Sequence, residues 1–247
     1  ERLLDFFKKA GREHLPWRKK RITAYEVWVS EIMLQQTQVQ RVIGYYERFL
    51  GRFPTIEALA GATWEEFLPY YEGLGYYNRG RNMLRAAHMV VSEYGGKFPC
   101  DKQSLERIPG IGPYTAAAIM SFAYGDDHLA WDTNLHRVIG RFFYGGKQLV
   151  SDEAVWEDRF AMPKKDMNAA LMDFGSALCV ARPKCEACSL KAKCVYYKES
   201  GKQETRYKQQ ETRKKQGTSN KKQAKSVDWK TAQVAVFLHE NHKKYFS

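Results

Sequence analysis

A glutamate inside an apolar stretch is the residue of this sequence best suited to acid chemistry. Glu31 lies within Trp28-Val-Ser-Glu31-Ile-Met-Leu-Gln-Gln36-Thr-Gln-Val. In a helix, the residues one turn away would be Val27, Trp28, Leu34 and Gln35. This neighbourhood is mostly apolar, so the carboxyl group would face the buried side, where the anion is penalised and the pKa rises. Such a group is a general acid near neutral pH, although periodicity alone leaves open an ordinary surface glutamate.

Asp132 is the second candidate, at the start of Trp131-Asp132-Thr-Asn134-Leu-His136-Arg137. Its position predicts the N-cap of a helix, the usual role of an aspartate there. Backbone N–H groups that hold a capping carboxylate also keep it ionised, so that it can stabilise positive charge on a substrate. Spacing alone leaves both roles open, and we interpret His136 as structural or solvent-facing.

Four cysteines form a third candidate site. Cys179, Cys185, Cys188 and Cys194 are separated by five, two and five residues, and the remaining cysteine is Cys100. This clustering indicates metal ligands rather than a disulfide framework, with Cys100 a reduced thiol. Zinc sites usually space their paired ligands by two to four residues, so the wide outer gaps favour a cubane iron-sulfur (4Fe-4S) cluster over zinc.

The stretch Leu105-Glu-Arg-Ile-Pro109-Gly-Ile-Gly112-Pro-Tyr114-Thr-Ala116 predicts a helix-hairpin-helix, with Pro113 at the first position of the second helix. Gly110 and Gly112 would let the backbone approach a phosphate, and free N–H groups at the new helix start would donate to it. Such contacts hold a duplex without reading its sequence. The alternative is a turn between helices that binds nothing.

The elements that must position these residues are predicted to be helices. Three pairs have the capping-box spacing that starts a helix: Thr23 with Glu26, Thr37 with Gln40, and Thr63 with Glu66. The first two boxes predict a break that leaves Gln35 and Gln36 at an exposed corner. Residues 73–80 predict a flexible connection before a helix from about residue 81 to 94. No alternating strand pattern precedes residue 230, so residues 1–200 are predicted to be all-α.

Charge and composition describe a globular protein with a polyanionic partner. The 247 residues carry a formal net charge of +12, with 44% hydrophobic and 14% aromatic residues. Residues 198–226 hold ten Lys or Arg against three Glu, which accounts for +7 of that charge. Any nucleic-acid surface elsewhere must therefore arise from clustering, for instance where the turn Leu15-Pro-Trp17-Arg18 presents an aromatic ring and a cation.

The sequence has neither an apolar run of membrane-spanning length nor a signal-peptide pattern, which predicts an intracellular protein with no membrane partner. Residues 201–228 predict a basic flexible linker. Residues 229–247 contain the first strand-like pattern, Ala232-Gln-Val-Ala-Val-Phe-Leu, and predict the start of a truncated β-containing domain. Because the chain begins at Glu1 and stops inside this unit, we expect a fragment, and we assume a monomer.

Together these stretches resemble the adenine DNA glycosylases of the MutY family, in the helix-hairpin-helix superfamily that includes endonuclease III. The resemblance covers about residues 1–200 and rests on the Glu31 stretch, Glu72-Gly-Leu-Gly-Tyr76-Tyr, the hairpin, Asp132-x-Asn134 and the four cysteines. It implies an all-α glycosylase domain over 1–200, with a six-helix subdomain over 22–129 and a cluster subdomain over 1–21 and 130–200. Residues 229–247 would begin a Nudix-like domain.

The resemblance also implies roles for individual residues. Glu31 would protonate the departing adenine, Asp132 would stabilise the oxocarbenium-like sugar, and Asn134 would position one of them. Tyr114 stands where bifunctional relatives carry a Schiff-base lysine, so a strong lyase step is not expected. The implied DNA-binding residues are Gln36 and Tyr76, which would wedge into the duplex, with Trp17, Arg18, Gly110, Gly112 and Thr115. The implied partner is duplex DNA with adenine opposite 8-oxoguanine or guanine.

Three features depart from the family pattern. The first cysteine gap is five residues where the family usually has six, and Thr133 replaces the usual glycine, which would shift the helix start. The resemblance also leads us to expect that most of the domain with which the family recognises 8-oxoguanine is missing. Two other functions stay open: an endonuclease III-type glycosylase/lyase, against which Tyr114 and Glu31 argue, and a non-catalytic DNA-binding iron-sulfur module.

Overall fold

The computed structural model describes residues 2–146 and 163–200, and residues up to Ser200 belong to one compact unit. All regular structure in these ranges is helical. The α-helices are α1 Arg2–Ala10, α2 Ala24–Leu34, α3 Val39–Arg52, α4 Ile56–Ala60, α5 Trp64–Tyr71, α6 Tyr77–Tyr94, α7 Lys102–Glu106, α8 Pro113–Ile119, α9 Thr133–Tyr144 and α10 Lys164–Ala177. Residues 195–200 are also helical. A π-helical turn, Met120–Tyr124, continues α8, and two 3₁₀ turns, Cys185–Ala187 and Lys191–Lys193, follow α10. The all-α prediction is confirmed for these residues, whereas the predicted linker and β-containing segment lie outside them.

Helix α2 is the central element because it is apolar on every side. Nine of its residues, from Ala24 to Met33, are buried, and Trp28, Val29 and Met33 have no exposed surface. Its start follows the predicted capping box: the Glu26 amide donates to the Thr23 hydroxyl at 3.2 Å, and the Glu26 carboxylate accepts from the Thr23 amide at 2.9 Å. An apolar helix of this kind must be packed on all sides, and α2 accordingly packs against both α3 and α8.

Two hydrophobic cores lie on either side of the α8 region. The larger core gathers side chains from α2 to α8, with Trp28, Tyr46 and Phe67 among its largest members. The smaller core gathers α9, α10 and two residues of α8, Ala117 and Ala118, around Leu135 and Phe174. Ring packing of Phe6 on Phe174, at 5.1 Å between centroids, brings α1 onto this second core. The proposed boundaries at residues 22, 129 and 200 stay predictions.

Several local predictions change in the structure. The Thr37–Gln40 capping box is wrong: α3 begins at Val39 after Gln38, without a side-chain cap. The Thr37 hydroxyl donates instead to the Gln35 carbonyl at 3.3 Å. The break itself is confirmed, with Gln36 exposed and at φ 55°.

The connection over residues 73–80 is shorter than predicted, since α6 already begins at Tyr77. Close packing explains this early start: a Cβ on Gly80 would lie 2.8 Å from the Phe67 ring, so glycine lets α6 approach α5. Helix α4, which the sequence pattern did not predict, is capped by the Thr55 hydroxyl. Among the described residues, no helix is long and apolar enough to cross a membrane.

Candidate active site

Glu31 lies at the bottom of a pocket of about 570 Å³ formed where α2, α8, the start of α9 and the segment before α2 meet. Only 8% of the surface of Glu31 is exposed, as its mostly apolar neighbours in the helix predict. Its carboxylate accepts a hydrogen bond from the Tyr114 hydroxyl at 2.6 Å. The packing of α8 on α2 therefore joins two residues that are 83 positions apart in the chain.

Burial raises the pKa of Glu31 to about 7. The Tyr114 hydrogen bond and the positive charge of Arg18 oppose this rise, whereas the negative charge of Asp132 adds to it. The pKa of the Tyr114 hydroxyl is also raised, well above its ordinary value, first by burial and then by the charge of Glu31. Tyr114 is therefore a neutral donor to Glu31, and Glu31 can hold a proton near neutral pH.

Asp132 caps α9, as its position predicts. One carboxylate oxygen accepts from the Leu135 amide at 2.7 Å, and the other accepts from the Asn134 side-chain amide at 2.6 Å. Both donors bond best to an ionised carboxylate. Thr133 is the first residue of α9, so the threonine in place of glycine leaves the helix start directly after Asp132.

The side chain of Asn134 is in turn held by contacts with α9 and α10. Its side-chain oxygen accepts from the Arg137 guanidinium at 2.6 Å, and Arg137 also donates to the Cys179 carbonyl at 2.6 Å. Gly175 of α10 lies so close that a Cβ there would be 2.6 Å from the Asn134 Cβ. The contacts with α9 and α10 therefore orient the Asn134 side-chain amide toward Asp132.

The chain segment before α2, which forms one side of the pocket, differs from the predicted exposed turn. Trp17 is only 9% exposed and packs edge-on against Tyr46, at 5.4 Å between centroids, so the expected exposed aromatic turn is wrong. Arg18 points inward and donates to Asp173 at 3.3 Å. Burial lowers the pKa of Arg18, and the carboxylate of Asp173 opposes that change. Both residues line the pocket rather than an outer surface.

Sequence reasoning missed Asp173, which is 1% exposed on α10. It accepts from the Arg12 side chain at 2.7 Å and the Arg12 amide at 2.9 Å, besides Arg18. A buried carboxylate needs such partners. The signal that identified Glu31 was also present here, because Asp173 interrupts the apolar stretch Ala169-Ala-Leu-Met-Asp-Phe174.

The hairpin between α7 and α8 has the predicted form. Gly110 has φ +81°, which favours glycine, and Gly112 precedes Pro113, the first residue of α8. Gly112 is extended and a Cβ there would meet open space, so only Gly110 requires glycine. Thr115 is 2% exposed, so its buried side chain offers no surface to a duplex, and a DNA contact through its backbone stays a prediction. Gln36 is exposed and Tyr76 is 63% exposed, so both side chains are accessible, and their role toward a duplex stays a prediction.

The four cysteines are half-buried and line one small pocket after α10, together with Arg141 and Leu190. Burial, followed by the neighbouring Cys188, Cys194 and Cys179, raises the pKa of the Cys185 thiol, so the four side chains converge. Their number, type and convergence fit a metal-cluster ligand set. Within residues 2–146 and 163–200, however, no group of three or more His, Cys, Asp or Glu meets the geometric criteria for holding a metal ion.

Comparison with known proteins decides the family. Residues 29–158 match the model described as HhH-GPD superfamily base excision DNA repair protein. The chain belongs to this superfamily. The solved structure titled a thermostable thymine-DNA glycosylase is 30% identical, with a TM-score of 0.73 over 80% of this chain and 94% of that one. An endonuclease III–DNA complex, at 23% identity and TM-score 0.69 over 81% and 94% of the two chains, shows the same fold.

Curated relatives confirm the resemblance to the MutY family within this superfamily. An adenine DNA glycosylase of Buchnera aphidicola subsp. Acyrthosiphon pisum is 35% identical over 78% of this chain and 57% of its own length. The Homo sapiens adenine DNA glycosylase is 39% identical over 78% of this chain and 38% of its own. The chain thus spans little more than half the length of the first of these relatives, and a smaller part of the second.

Proposed function

We propose that this protein is a monofunctional DNA glycosylase that hydrolyses the N-glycosidic bond of adenine in duplex DNA, with Glu31 as the acid. One observation carries the proposal: a buried glutamate with a pKa of about 7 shares one pocket with a capped aspartate. Glycoside cleavage needs this pairing, because one carboxyl group must donate a proton while the other stays charged. The adenine glycosylase relatives support adenine as the base.

The reaction follows from the positions of the two groups. Glu31 donates its proton to a ring nitrogen of the extruded adenine, and the bond between sugar and base then breaks with its electron pair leaving on the base. Asp132, held by Leu135 and Asn134, stabilises the positive charge that develops on the sugar. Water adds to the sugar carbon and passes a proton to the Glu31 carboxylate, which restores the acid and yields an abasic site and free adenine.

The pocket supports hydrolysis over lyase chemistry. A Schiff-base lyase needs an amine nucleophile, and no lysine lines the pocket among the described residues. Tyr114, where the resemblance puts that lysine, is engaged with Glu31. Cleavage of an abasic strand without added base would instead favour the endonuclease III-type glycosylase/lyase.

The proposed partner is duplex DNA with adenine opposite 8-oxoguanine or guanine. The exposed Gln36 and Tyr76, the Gly110 hairpin and the basic composition support a duplex that is gripped through its backbone and probed beside the base pair. Extruding a paired base costs a few kcal/mol, and wedging side chains help offset that cost.

We further propose that Cys179, Cys185, Cys188 and Cys194 hold a 4Fe-4S cluster. Their convergence on one pocket and their sequence spacing support this assignment. When bound, the cluster would supply a cross-link that fixes the loop after α10, and a redox-active centre. Protein that is brown with four irons per chain would support it, whereas colourless protein with one zinc would contradict it.

Single-turnover release of adenine tests the proposed function, with adenine placed opposite 8-oxoguanine or guanine. We expect release by the natural chain and its loss in Glu31→Gln, with duplex affinity retained within several-fold, because the variant removes the acid and little surface. Glu47→Gln, an exposed position on α3, is the matched control. Equal loss of binding and excision in Glu31→Gln, or tight binding by the natural chain without release, would favour the non-catalytic module.

A further inference from the structure

Two exposed turns of this protein have a strained backbone. Gln36 has φ +55° and Tyr76 has φ +49°, and they are the non-glycine residues with positive φ in the part of the chain that the structure describes. A left-handed conformation is unfavourable for such residues, and it persists only where surrounding contacts hold it. Both turns therefore need a structural support.

One side chain contacts both turns. The Arg79 guanidinium donates through one nitrogen to the Ile32 carbonyl at 2.9 Å and to the Gln35 carbonyl, which lie at the end of α2 directly before Gln36. Carbonyls in the last turn of a helix lack a helical partner, and the helix dipole favours a cation beside them. Arg79 thus caps α2 from another element.

The other terminal nitrogen of Arg79 contacts the turn before α6. It donates to the Leu74 carbonyl at 3.1 Å and to the Gly75 carbonyl at 3.4 Å. The guanidinium carbon lies 5.2 Å from the centre of the Tyr76 ring, within cation–π range. The Arg79 amide also donates to the Tyr76 carbonyl at 2.8 Å.

We propose that Arg79 is a positioning residue that holds the Gln36 and Tyr76 turns in one fixed relation, so that both side chains enter a duplex together. Its planar fork has donors directed to both sides, which a lysine cannot reproduce. The part concerning the duplex rests on the proposed function, in which Gln36 and Tyr76 probe the DNA. The coupling between the turns does not depend on it.

Hydrogen exchange of the free protein tests the coupling. The Thr37 amide donates to Leu34 at 3.3 Å and the Leu74 amide donates to Tyr71 at 3.1 Å, so each turn has a protected reporter. In Arg79→Met, which keeps the length of the side chain without its donors, both reporters should exchange at least tenfold faster. The matched control is Arg85→Gln on the same helix, an exposed residue whose guanidinium contacts Asn82, where neither reporter should change.

Base extrusion tests the consequence for function. A duplex with 2-aminopurine in place of the adenine becomes brighter when that base leaves the stack. We expect Arg79→Met to slow this rise by about ten- to hundredfold, the scale of a misplaced positioning contact, while affinity for an undamaged duplex changes less than threefold. Arg79→Lys should be intermediate, and it supplies both measurements if Arg79→Met does not fold.

The outcomes separate this inference from the proposed function. Unchanged exchange, or faster exchange in only one turn, would overturn the coupling whatever the enzyme does. Faster exchange in both turns with a normal extrusion rate would overturn the positioning role. If the natural chain neither extrudes nor releases a base, the proposed function and the positioning role fail together, and joint exchange of the two reporters still decides the coupling.

Discussion

At the scale of single residues, the site combines two carboxyl groups whose surroundings differ. Glu31 is buried away from solvent and accepts a hydrogen bond from the neutral Tyr114 hydroxyl. Asp132 instead receives a backbone amide and a side-chain amide at the end of a helix. Burial raises the pKa of Glu31, so that its carboxyl group can hold a proton near neutral pH.

The excision rate should fall as pH rises above about 7. The pKa of Glu31 is raised to about 7, and the protonated form is the donor, so the active fraction is nearly complete at pH 6 and falls about tenfold per unit well above 7. Single-turnover rates at saturating enzyme, measured from pH 6 to 9, check this. A rate that stays level across that range would exclude Glu31 as the rate-limiting acid.

Glu31→Gln should stabilise the fold at alkaline pH. A carboxyl group whose pKa is raised from 4.5 to about 7 on folding binds its proton more tightly in the folded state, so the free energy of unfolding falls between those values and then levels. Glutamine stays neutral and avoids this loss. Urea unfolding should show a gain of roughly 2–4 kcal/mol at pH 8 and little gain at pH 5. If the natural chain and Glu31→Gln were equally stable at both pH values, the raised pKa of Glu31 would be contradicted.

At the scale of elements, the pocket exists because segments distant in the chain meet on α2. Helix α8 brings Tyr114, α9 brings Asp132, and α10 brings Asp173, which fixes Arg12 and Arg18 from the segment before α2. The hairpin between α7 and α8 sets the direction of α8. Its one left-handed glycine is therefore a sensitive position.

Gly110→Ala should destabilise the protein and weaken duplex binding. The residue has φ +81°, and a Cβ there would lie 3.1 Å from the Asn82 Cβ, so the cost should be about 1–3 kcal/mol. Gly44→Ala, in the open middle of α3, is the matched control and should be stabilising by roughly 0.5–1 kcal/mol. Thermal unfolding and duplex affinity check both. Unchanged affinity in a folded Gly110→Ala variant would show that the hairpin does not grip DNA.

At the scale of the whole molecule, the active pocket and the cysteine loop are joined through the second core. Arg137 links the Asn134 side chain to the Cys179 carbonyl, and Arg141 donates to the Val180 carbonyl at 2.6 Å. The loop also contains short turns, such as the hydrogen bond from the Cys188 amide to the Cys185 carbonyl at 3.1 Å, and an ion pair between Lys191 and Glu186 at 2.9 Å. A cofactor held by the four cysteines would add a further cross-link to this loop.

Cys188→Ser should lower soluble yield and duplex affinity before it lowers the excision rate. The substitution removes a proposed cluster ligand from a loop that lies outside the pocket. The soluble fraction should keep its single-turnover rate at saturating enzyme within several-fold. Cys100→Ser, at the exposed cysteine, is the control and should leave all three quantities unchanged. Normal yield, folding and binding by Cys188→Ser without bound iron would refute the cluster.

The sequence by itself determined which residues could do chemistry. An acid in an apolar stretch, an aspartate at a helix start and a Gly-Ile-Gly turn are local patterns, since capping and burial periodicity act over one or two helical turns. The same locality explains why the Thr63 capping box was predicted correctly. It also explains the failure at Thr37, where the pattern was present but the hydroxyl bonded elsewhere.

Only the tertiary structure decided how these residues combine. The inward turn of Trp17 and Arg18, the burial of Thr115, and the contacts made by Asp173 and Arg79 all depend on partners far away in the chain. The pKa of Glu31 likewise depends on Tyr114 and Arg18 as well as on its own helix. Electrostatic interactions act through space, so the strength of the acid follows from which helices pack together, and sequence spacing does not contain that information.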